Sequence, residues 1–498
     1  MLQLFEMKNH EVLKIIENLS PAKKKYEEKK AKKLNYNSFY DYVLYKLETP
    51  KVSMVLNKHT VLKQHSVSLA KEKEPPQEKL NNLFRYYQKG QLKDAERLAT
   101  FITKEFPKHQ FGWKVLGSVL KKNGRISESL FAHQKSVELV PEDAQAHYNL
   151  GNTLQQLGRL EDSEVSYRQA IILNPDDPLA YNNLGTTLID LGRFEEAKAT
   201  YTKVTELSPD DAQPHYNLGI TFQELGRLEE AEASYKKAIA LNPNYYEAHN
   251  NLLKCLYILD KNSLFFNELD YLIKQGRANA VIGSLTSRSA LKFGIKRPNI
   301  FCKDPLKYVL HSNLNINCDF NKIFVENAKS ILNEKRVSNR KQSLLVNGCQ
   351  TSGNLFDIEN TFTKKIEKTI RLEIDKYLTN FKNSKEGLIK KWPTEYSIYA
   401  WLISMKSGGE IQPHIHDEGW LSGSIYINIP PKSDANSGDL VVSLGEKKDT
   451  VDKPLNTKKI INVITGSLVL FPASLTHYTI PFESQEERIV LAFDVKQK

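Results

Sequence analysis

The sequence predicts a multidomain chain in which an α-solenoid is followed by an α+β domain with a double-stranded β-helix, or jelly-roll, core. A set of Gly, Ala, aromatic and Pro residues returns every 34 residues in the first half. From residue 396 onward, short alternating stretches are separated by Gly and Pro turns. We expect four segments: a basic, partly disordered region (1–78), the repeat array (79–262), capping and linker helices (263–296) and the jelly-roll domain (297–498).

Composition limits the class of protein. With 498 residues, of which 40% are hydrophobic, the chain can form two or three packed domains. No apolar run approaches bilayer length and the N-terminus lacks the apolar core of a signal peptide, so we expect a cytoplasmic protein without membrane contact. Four scattered cysteines fit a reducing compartment. The net charge of +11 includes a Lys-rich N-terminal run that we expect to be solvated, so no nucleic-acid partner is predicted.

The repeat is set by residues at a fixed interval. Five prolines lie 34 residues apart: Pro107, Pro141, Pro175, Pro209 and Pro243. A 34-residue period with a Leu-Gly pair, a later Ala and aromatic, and a closing Pro is the tetratricopeptide signature. The small residues let two helices approach closely, and Pro ends the second helix. We predict five repeats from about 79 to 245, stacked into a solenoid with a concave groove and closed by a degenerate helix at 246–259.

An asparagine also follows this interval, at Asn149, Asn183, Asn217 and Asn251. These residues fall on one line along the first helices of the repeats. Each side-chain amide offers a donor and an acceptor to the backbone of an extended peptide. The array resembles that of O-linked N-acetylglucosamine transferases, in which such a ladder binds peptides. Duplication of the repeat sequence, without any binding role, explains the recurring asparagines equally well. We therefore predict a protein or peptide partner in the groove and keep simple duplication as the alternative.

The remaining elements follow from periodicity. Helices are predicted at 265–275, 278–293, 320–335 and 357–383. Eight strands are predicted at 396–405, 410–416, 422–429, 439–443, 459–464, 467–471, 476–481 and 488–495. Such a series of short strands with Gly and Pro turns is typical of a jelly roll.

Two histidines in one tripeptide point to a metal. His414 and His416 are followed by Glu418, and His477 comes 61 residues after His416. Residues two apart on a strand share a face, so the first three side chains are expected to point one way. Two imidazoles and a carboxylate form the facial triad of non-haem Fe(II) oxygenases, which His416, Glu418 and His477 would supply. His414, His416 and His477 would form a three-histidine site instead, and the sequence leaves both open.

Arg488 is a cation in an otherwise apolar stretch, eleven positions after His477. A buried Arg needs an anionic partner, because an unpaired buried charge is costly. Its planar fork suits the far carboxylate of a dicarboxylate. An ordinary ion pair with Glu486, Glu487 or another carboxylate is the alternative.

The region from 297 to 495 resembles bacterial 2-oxoglutarate- and Fe(II)-dependent oxygenase domains. The resemblance rests on these pieces: 301–306 (FCKDPL), 350–356 (QTSGNLF), Ala400-Trp401, His414-x-His416-x-x-Gly-Trp-Leu-Ser-Gly423 with Tyr426, and Leu470-Phe-Pro472 with His477 and Arg488. The chain departs from the wider superfamily where His-x-His-Asp-Glu replaces His-x-Asp and Arg-Ile-Val replaces Arg-x-Ser.

The resemblance implies a dioxygenase. Its Fe(II) ligands would come from His414, His416, Glu418 and His477, while Arg488, with Tyr426 as a helper, would bind 2-oxoglutarate. It implies that O2 is activated at the metal, 2-oxoglutarate is converted to succinate and a C–H bond is hydroxylated, and it is compatible with ascorbate. Together with the repeats, this predicts a hydroxylase of a groove-bound protein or of a small molecule. The alternative is a non-catalytic tetratricopeptide scaffold with a metal-binding, cupin-like domain.

Overall fold

The computed structural model describes residues 74–314, 319–333, 339–340, 344–358, 361–445 and 457–498. The predicted basic region at 1–78 therefore lies almost entirely outside the described residues. The chain from Pro75 to Lys498 forms one unit, in which a helical solenoid is followed by a β-rich domain. None of the helices within these ranges has both the length and the apolar character required to cross a membrane.

Thirteen helices make up the solenoid within the described residues. They are α1 (Gln77–Gln88), α2 (Leu92–Glu105), α3 (Gln110–Lys122), α4 (Ile126–Leu139), α5 (Ala144–Gln156), α6 (Leu160–Leu173), α7 (Pro178–Asp190), α8 (Phe194–Leu207), α9 (Ala212–Glu224), α10 (Leu228–Leu241), α11 (Tyr246–Ile258), α12 (Asn262–Lys274) and α13 (Ala280–Phe293). The predicted closing helix is α11, and α12 packs beside it as a sixth pair. Asp260, with φ of 54°, turns the chain between them where the earlier pairs use glycine.

Local sequence sets the start of several first helices. Asp143, Asp177 and Asp211 precede α5, α7 and α9, and each carboxylate accepts a hydrogen bond from a backbone N–H in the first turn. An aspartate at this position satisfies one of the N–H groups that the helix itself leaves unpaired. The same repeat position therefore starts each of these helices.

The two helices of a pair approach closely because a glycine faces an aromatic ring. A Cβ added to Gly151 would lie 2.7 Å from a ring carbon of Tyr167, which is fully buried. The next two pairs repeat this contact through Tyr201 and Tyr235. In the second pair the aromatic position holds His133, whose Nδ1 lies 2.9 Å from the hydroxyl of Thr153.

The C-terminal part contains two antiparallel sheets. Ten strands are described: β1 (Leu310–Asn313), β2 (Asn339–Arg340), β3 (Leu345–Thr351), β4 (Tyr396–Ile411), β5 (Gly419–Asn428), β6 (Leu440–Ser443), β7 (Lys458–Ile461), β8 (Ser467–Pro472), β9 (Thr476–Thr479) and β10 (Arg488–Gln497). The seven-stranded sheet has the order β1-β8-β5-β10-β4-β3-β2, and the three-stranded sheet has the order β7-β6-β9. Three helices belong to this part: α14 (Glu326–Asn333), α15 (Thr361–Asn380) and α16 (Gly387–Lys390).

The larger sheet separates two cores. On one face, Leu491 and Phe493 of β10 pack in the same cluster as Ile370 and Ile374 of α15. On the other face, Val490 and Ala492 share a second cluster with residues of β6 and β7 from the smaller sheet. Side chains therefore alternate strictly along β10, and the even-numbered residues face the space between the sheets.

Two predicted strands, 396–405 and 410–416, form a single strand that ends at Ile411. The segment with the paired histidines therefore follows the strand and is not part of it. The predicted helix at 320–335 begins as a π-helical turn, Asn321–Val325, before α14. The other predicted helices match α12, α13 and α15 within a few residues.

Candidate metal centre

Three histidines meet at one end of the two sheets. His477 lies on β9, and a pair of backbone hydrogen bonds joins it to His414: the N–H of His414 donates to the carbonyl of His477 at 3.2 Å, and the reverse bond is 2.9 Å. The chain continues through His416 and turns back into β5, with the N–H of Gly419 donating to the carbonyl of His416 at 3.1 Å. The loop after β4 is thereby fixed against β9.

The imidazoles are mutually close. Ring centroids lie 4.2 Å apart for His414 and His477, 4.7 Å for His416 and His477, and 5.0 Å for His414 and His416. One nitrogen of each ring lies within 4.8 Å of the others. The structure thus brings together the three-histidine set that the sequence left as one of two options.

Hydrogen bonds fix the orientation of each ring. The Nδ1–H of His414 donates to the carbonyl of Gln412 at 2.8 Å, and that of His477 donates to the carbonyl of Leu475 at 3.4 Å. The Nδ1–H of His416 donates to Oδ1 of Asp494 at 2.6 Å. With the proton on Nδ1, each ring presents the lone pair of Nε2 to the shared space.

Burial keeps two of these rings neutral. It lowers the pKa of His414 to about 4, with a further contribution from neighbouring His416. Burial, followed by the two adjacent histidines, holds the pKa of His477 well below its ordinary value. Neutral imidazole is the form that binds a metal.

The distances fit a divalent cation. Nε2 of His414 and Nε2 of His416 lie 3.1 Å apart. Two nitrogens about 2.1 Å from one ion and at right angles to each other are separated by about 3.0 Å. Two lone pairs at this separation repel unless a positive charge lies between them. The donor set present therefore fits a metal ion such as Fe(II).

Glu418, a predicted ligand, does not reach this cluster. Its side chain is 78% exposed, and its carboxylate pairs with Nζ of Lys496 at 2.6 Å. The prediction assumed a continuous strand, but the turn after His416 ends the two-residue alternation, so Glu418 points to the surface. Asp417 is also directed away and pairs with Lys254 of α11 at 2.6 Å.

Arg488 occupies another part of the same cavity. It is 1% exposed, its Nη1 donates to the carbonyl of Gly438, and its Nε has no hydrogen-bond partner. Burial lowers the pKa of this guanidinium. Across the described ranges, no carboxylate forms an ion pair with Arg488, and Glu487 instead accepts a hydrogen bond from Ser404. Tyr426 is buried beside it, with the ring centroid 5.2 Å from Cζ of Arg488.

A cavity of about 330 Å³ joins the two groups. The three histidines and Arg488 all line it. So do Tyr426, Trp401 and the strand neighbours of Arg488 that face the space between the sheets. A buried guanidinium, one donor of which has no partner, and three imidazoles thus line one cavity. That volume falls within the usual range for a small-molecule site.

The asparagines of the repeats have partners inside the array. Nδ2 of Asn183 donates to Asn152 at 2.8 Å, in the preceding repeat. Asn217 donates in the same way to Asn182 at 3.0 Å, and Asn251 to the hydroxyl of Tyr216 at 3.3 Å. Asn149 accepts a hydrogen bond from Gln145 of its own helix at 3.0 Å. Three of the four thus tie neighbouring repeats together.

Sequence reasoning missed Asp494 and Ser422. Asp494 is 4% exposed, and its Oδ1 accepts hydrogen bonds from His416 and, at 2.7 Å, from the hydroxyl of Ser422. The signal was present, because Asp494 is six residues after Arg488 and two-residue alternation places both on one face of β10.

Two parts of the chain match known protein families. Residues 399–494 match the family described as “Putative 2OG-Fe(II) oxygenase”. Residues 117–158, 144–177 and 176–244 match tetratricopeptide repeat families. The chain carries tetratricopeptide repeats and a domain of this oxygenase family. The predicted resemblance is therefore confirmed at residues 117–244 for the repeats and at residues 399–494 for the oxygenase domain. No curated protein matches the chain.

Several solved structures are similar to part of this chain. YrrB, described as a TPR protein with an unusual peptide-binding site, is 23% identical over 34% of this chain and 88% of its own, with a TM-score of 0.32. A tetratricopeptide repeat protein from Parabacteroides merdae is 17% identical over 44% of this chain and 86% of its own, with a TM-score of 0.37. MamA is 22% identical over 34% of this chain and 93% of its own, with a TM-score of 0.32.

Proposed function

We propose that the chain is a 2-oxoglutarate- and Fe(II)-dependent dioxygenase that hydroxylates a protein or peptide brought to it by the repeat array. The observation that carries this proposal is one cavity lined by three inward-facing imidazoles and a buried, unpaired arginine. The match of residues 399–494 to the oxygenase family supports the choice of iron and 2-oxoglutarate.

The proposed core of the domain is a double-stranded β-helix. The two antiparallel sheets and the shared apolar cluster between them support it. In this arrangement, the loop after β4 and strand β9 supply ligands at one end, and β10 supplies Arg488. Rigid neighbouring strands thus hold groups that lie far apart in sequence, as a preorganised site requires.

His414, His416 and His477 would hold the metal. Fe(II) bound there would supply the activation of O2 for the hydroxylation. The residues themselves keep the Nε2 lone pairs of three neighbouring rings available to a metal, because every Nδ1–H is engaged elsewhere. Three imidazoles leave further metal positions open for the co-substrate and O2.

Arg488 would bind the far carboxylate of 2-oxoglutarate. Its Nε is buried without a partner, so a carboxylate arriving beside the guanidinium would meet a donor that is already desolvated. Tyr426 limits the space on one side of the guanidinium and keeps it in place. Burial excludes water from this part of the cavity, and the ion pair formed there is correspondingly strong.

Contacts between the two parts support a substrate held by the array. Nζ of Lys254, on the first helix of the sixth pair, lies 2.6 Å from Oδ2 of Asp417, the residue after His416. Burial raises the pKa of Tyr216, on the first helix of the fifth pair, and the charges of Glu418 and Asp417 contribute. The first helices of the last repeats therefore lie beside the histidine loop. A polypeptide along these helices, including the asparagine positions, would end near the metal.

An anaerobic titration tests this function. Fe(II) and 2-oxoglutarate are added to the purified protein while the weak visible charge-transfer band of the ternary complex is followed. We expect a band in wild type and in Glu418→Gln, no band in His477→Ala, and no 2-oxoglutarate-dependent band in Arg488→Met. Metal binding without a 2-oxoglutarate band in wild type would contradict the oxygenase proposal and favour a metal-binding scaffold.

A further inference from the structure

We infer that Asp494, held by Ser422, positions His416 and supplies the negative charge that this metal centre lacks among its own ligands. The inference rests on the proposed function, since it concerns the same three histidines. In a facial triad, a carboxylate bound to the metal supplies negative charge. Here Asp494 would supply that charge through His416, without binding the metal itself.

Asp494 is buried and lies within hydrogen-bond distance of two polar side chains. Oδ1 of Asp494 lies 2.6 Å from Nδ1 of His416 and 2.7 Å from Oγ of Ser422. Ser422 Oγ in turn lies 3.1 Å from the same Nδ1. Both Asp494 and Ser422 are buried, with 4% and 1% exposure. The three groups form a closed triangle, which fixes both the tautomer and the rotation of the His416 ring.

The register of the sheet explains why these residues meet. Asp494 of β10 lies directly opposite Ser422 of β5. Their side chains therefore share a face of the sheet, at the end from which the loop with His416 emerges. His416 lies outside the strands, and the carboxylate is the shortest hydrogen-bond contact of Nδ1 in its ring. The other two histidines are anchored to backbone carbonyls instead.

Charge balance gives Asp494 a second role. Three neutral imidazoles add no charge to a divalent cation, and Arg488 adds a buried positive charge in the same cavity. A bound dicarboxylate would bring two negative charges. The buried carboxylate of Asp439, whose charge also acts on Arg488, is already paired with Lys432. With Asp494 the remaining buried charges then cancel, and without it a net positive charge remains in a site of low dielectric, which is unfavourable. Glu418 cannot take this role, because its carboxylate is exposed and paired with Lys496.

The test uses anaerobic Co(II) as the probe, with its affinity measured by competition against a chelating dye. The variants are Asp494→Asn, which keeps an acceptor but removes the charge, Asp494→Ala, which removes both, and Ser422→Ala. Glu418→Gln is the matched control, since it removes an acid that is two residues from His416 and exposed. We expect Asp494→Ala to bind Co(II) about 10- to 100-fold more weakly, Asp494→Asn to lie between it and wild type, and Glu418→Gln to stay within about twofold.

A second readout needs no metal. Nitrogen NMR of labelled histidine in the metal-free protein reports the tautomer of His416, which we expect to be Nδ1–H in wild type and mixed in Asp494→Ala. Unchanged Co(II) affinity and an unchanged tautomer in both Asp494 variants would overturn the positioning role while leaving the proposed function intact. A wild type that binds Co(II) but not 2-oxoglutarate would overturn the proposed function and leave the positioning role intact.

Discussion

The guanidinium of Arg488 lies against the ring of Tyr426, with 5.2 Å between its Cζ and the ring centroid. Both side chains are almost completely buried, and the aromatic face attracts this cation. The carbonyl of Gly438 accepts one hydrogen bond, and Nε remains unpaired. Burial of such a cation lowers the stability of the folded protein, and a ligand that pairs with the cation best explains why it is buried.

Arg488→Met should therefore separate stability from binding. Replacement of a poorly paired buried charge by an apolar side chain of similar length is often neutral or stabilising, so we expect ligand-free Arg488→Met to match wild type or exceed it by up to about 3 kcal/mol. Thermal unfolding with and without 2-oxoglutarate checks this. Wild type should gain stability from the ligand, and the variant should not. A strongly destabilised ligand-free variant would show that Arg488 is structural.

A pH dependence is expected from the second repeat. His133 is 1% exposed, and burial lowers its pKa to about 4. Between about pH 4 and 6.5 the unfolded chain binds a proton at His133 that the folded chain does not. The contribution of His133 to the free energy of unfolding is therefore fully present above about pH 6.5 and decreases as the pH falls through this range. The slope is about 1.4 kcal/mol per pH unit.

His133→Tyr should remove this dependence, because the next three repeats carry tyrosine at the same position. Thermal unfolding at pH 7 and pH 5 provides the comparison. The advantage of the variant over wild type should be larger at pH 5 by about 1 to 2 kcal/mol. An equal difference at both pH values would contradict the assignment of the lowered pKa to His133.

Measurements of unfolding free energy can distinguish the asparagines that bond to a neighbouring repeat from Asn149, which bonds within its own helix. Asn183 donates hydrogen bonds to Asn152 at 2.8 Å and to the hydroxyl of Tyr148 at 3.2 Å, both in the preceding repeat. Asn183→Ala should cost about 1 kcal/mol. Asn149→Ala is the matched control and should cost less, because the hydrogen bond it loses lies on the exposed side of its own helix. Equal losses in chemical denaturation would argue against inter-repeat bonding as the main role of this position.

The repeat array was predictable because its information is local and repeated. Gly151 and Tyr167 define one helix pair, and the same spacing returns with each repeat, so the period alone fixes the pairing. The sixth pair was less evident because Asp260 replaces the glycine of the turn. An aspartate tolerates this left-handed backbone, but a search for glycine does not detect it.

The site was predictable only in part. The sequence singled out His414, His416 and His477, which the structure brings together, but the choice between Glu418 and His414 depended on where β4 ends. Strand alternation gave the wrong face for Glu418 because a turn follows His416. Alternation along β10 places Asp494 on the same face as Arg488, but its role depends on its register with Ser422 in a neighbouring strand, and the sequence does not contain that pairing.

The central claim is that the three histidines and Arg488 form one binding site for a metal and a dicarboxylate. A crystal structure of the anaerobic complex with Fe(II) and 2-oxoglutarate, with diffraction recorded at the iron absorption edge, tests it most directly. We predict one anomalous peak within about 2.2 Å of Nε2 of His414, His416 and His477. The far carboxylate of 2-oxoglutarate should lie on Arg488. A peak ligated by Glu418, or a 2-oxoglutarate that does not contact Arg488, would contradict the account.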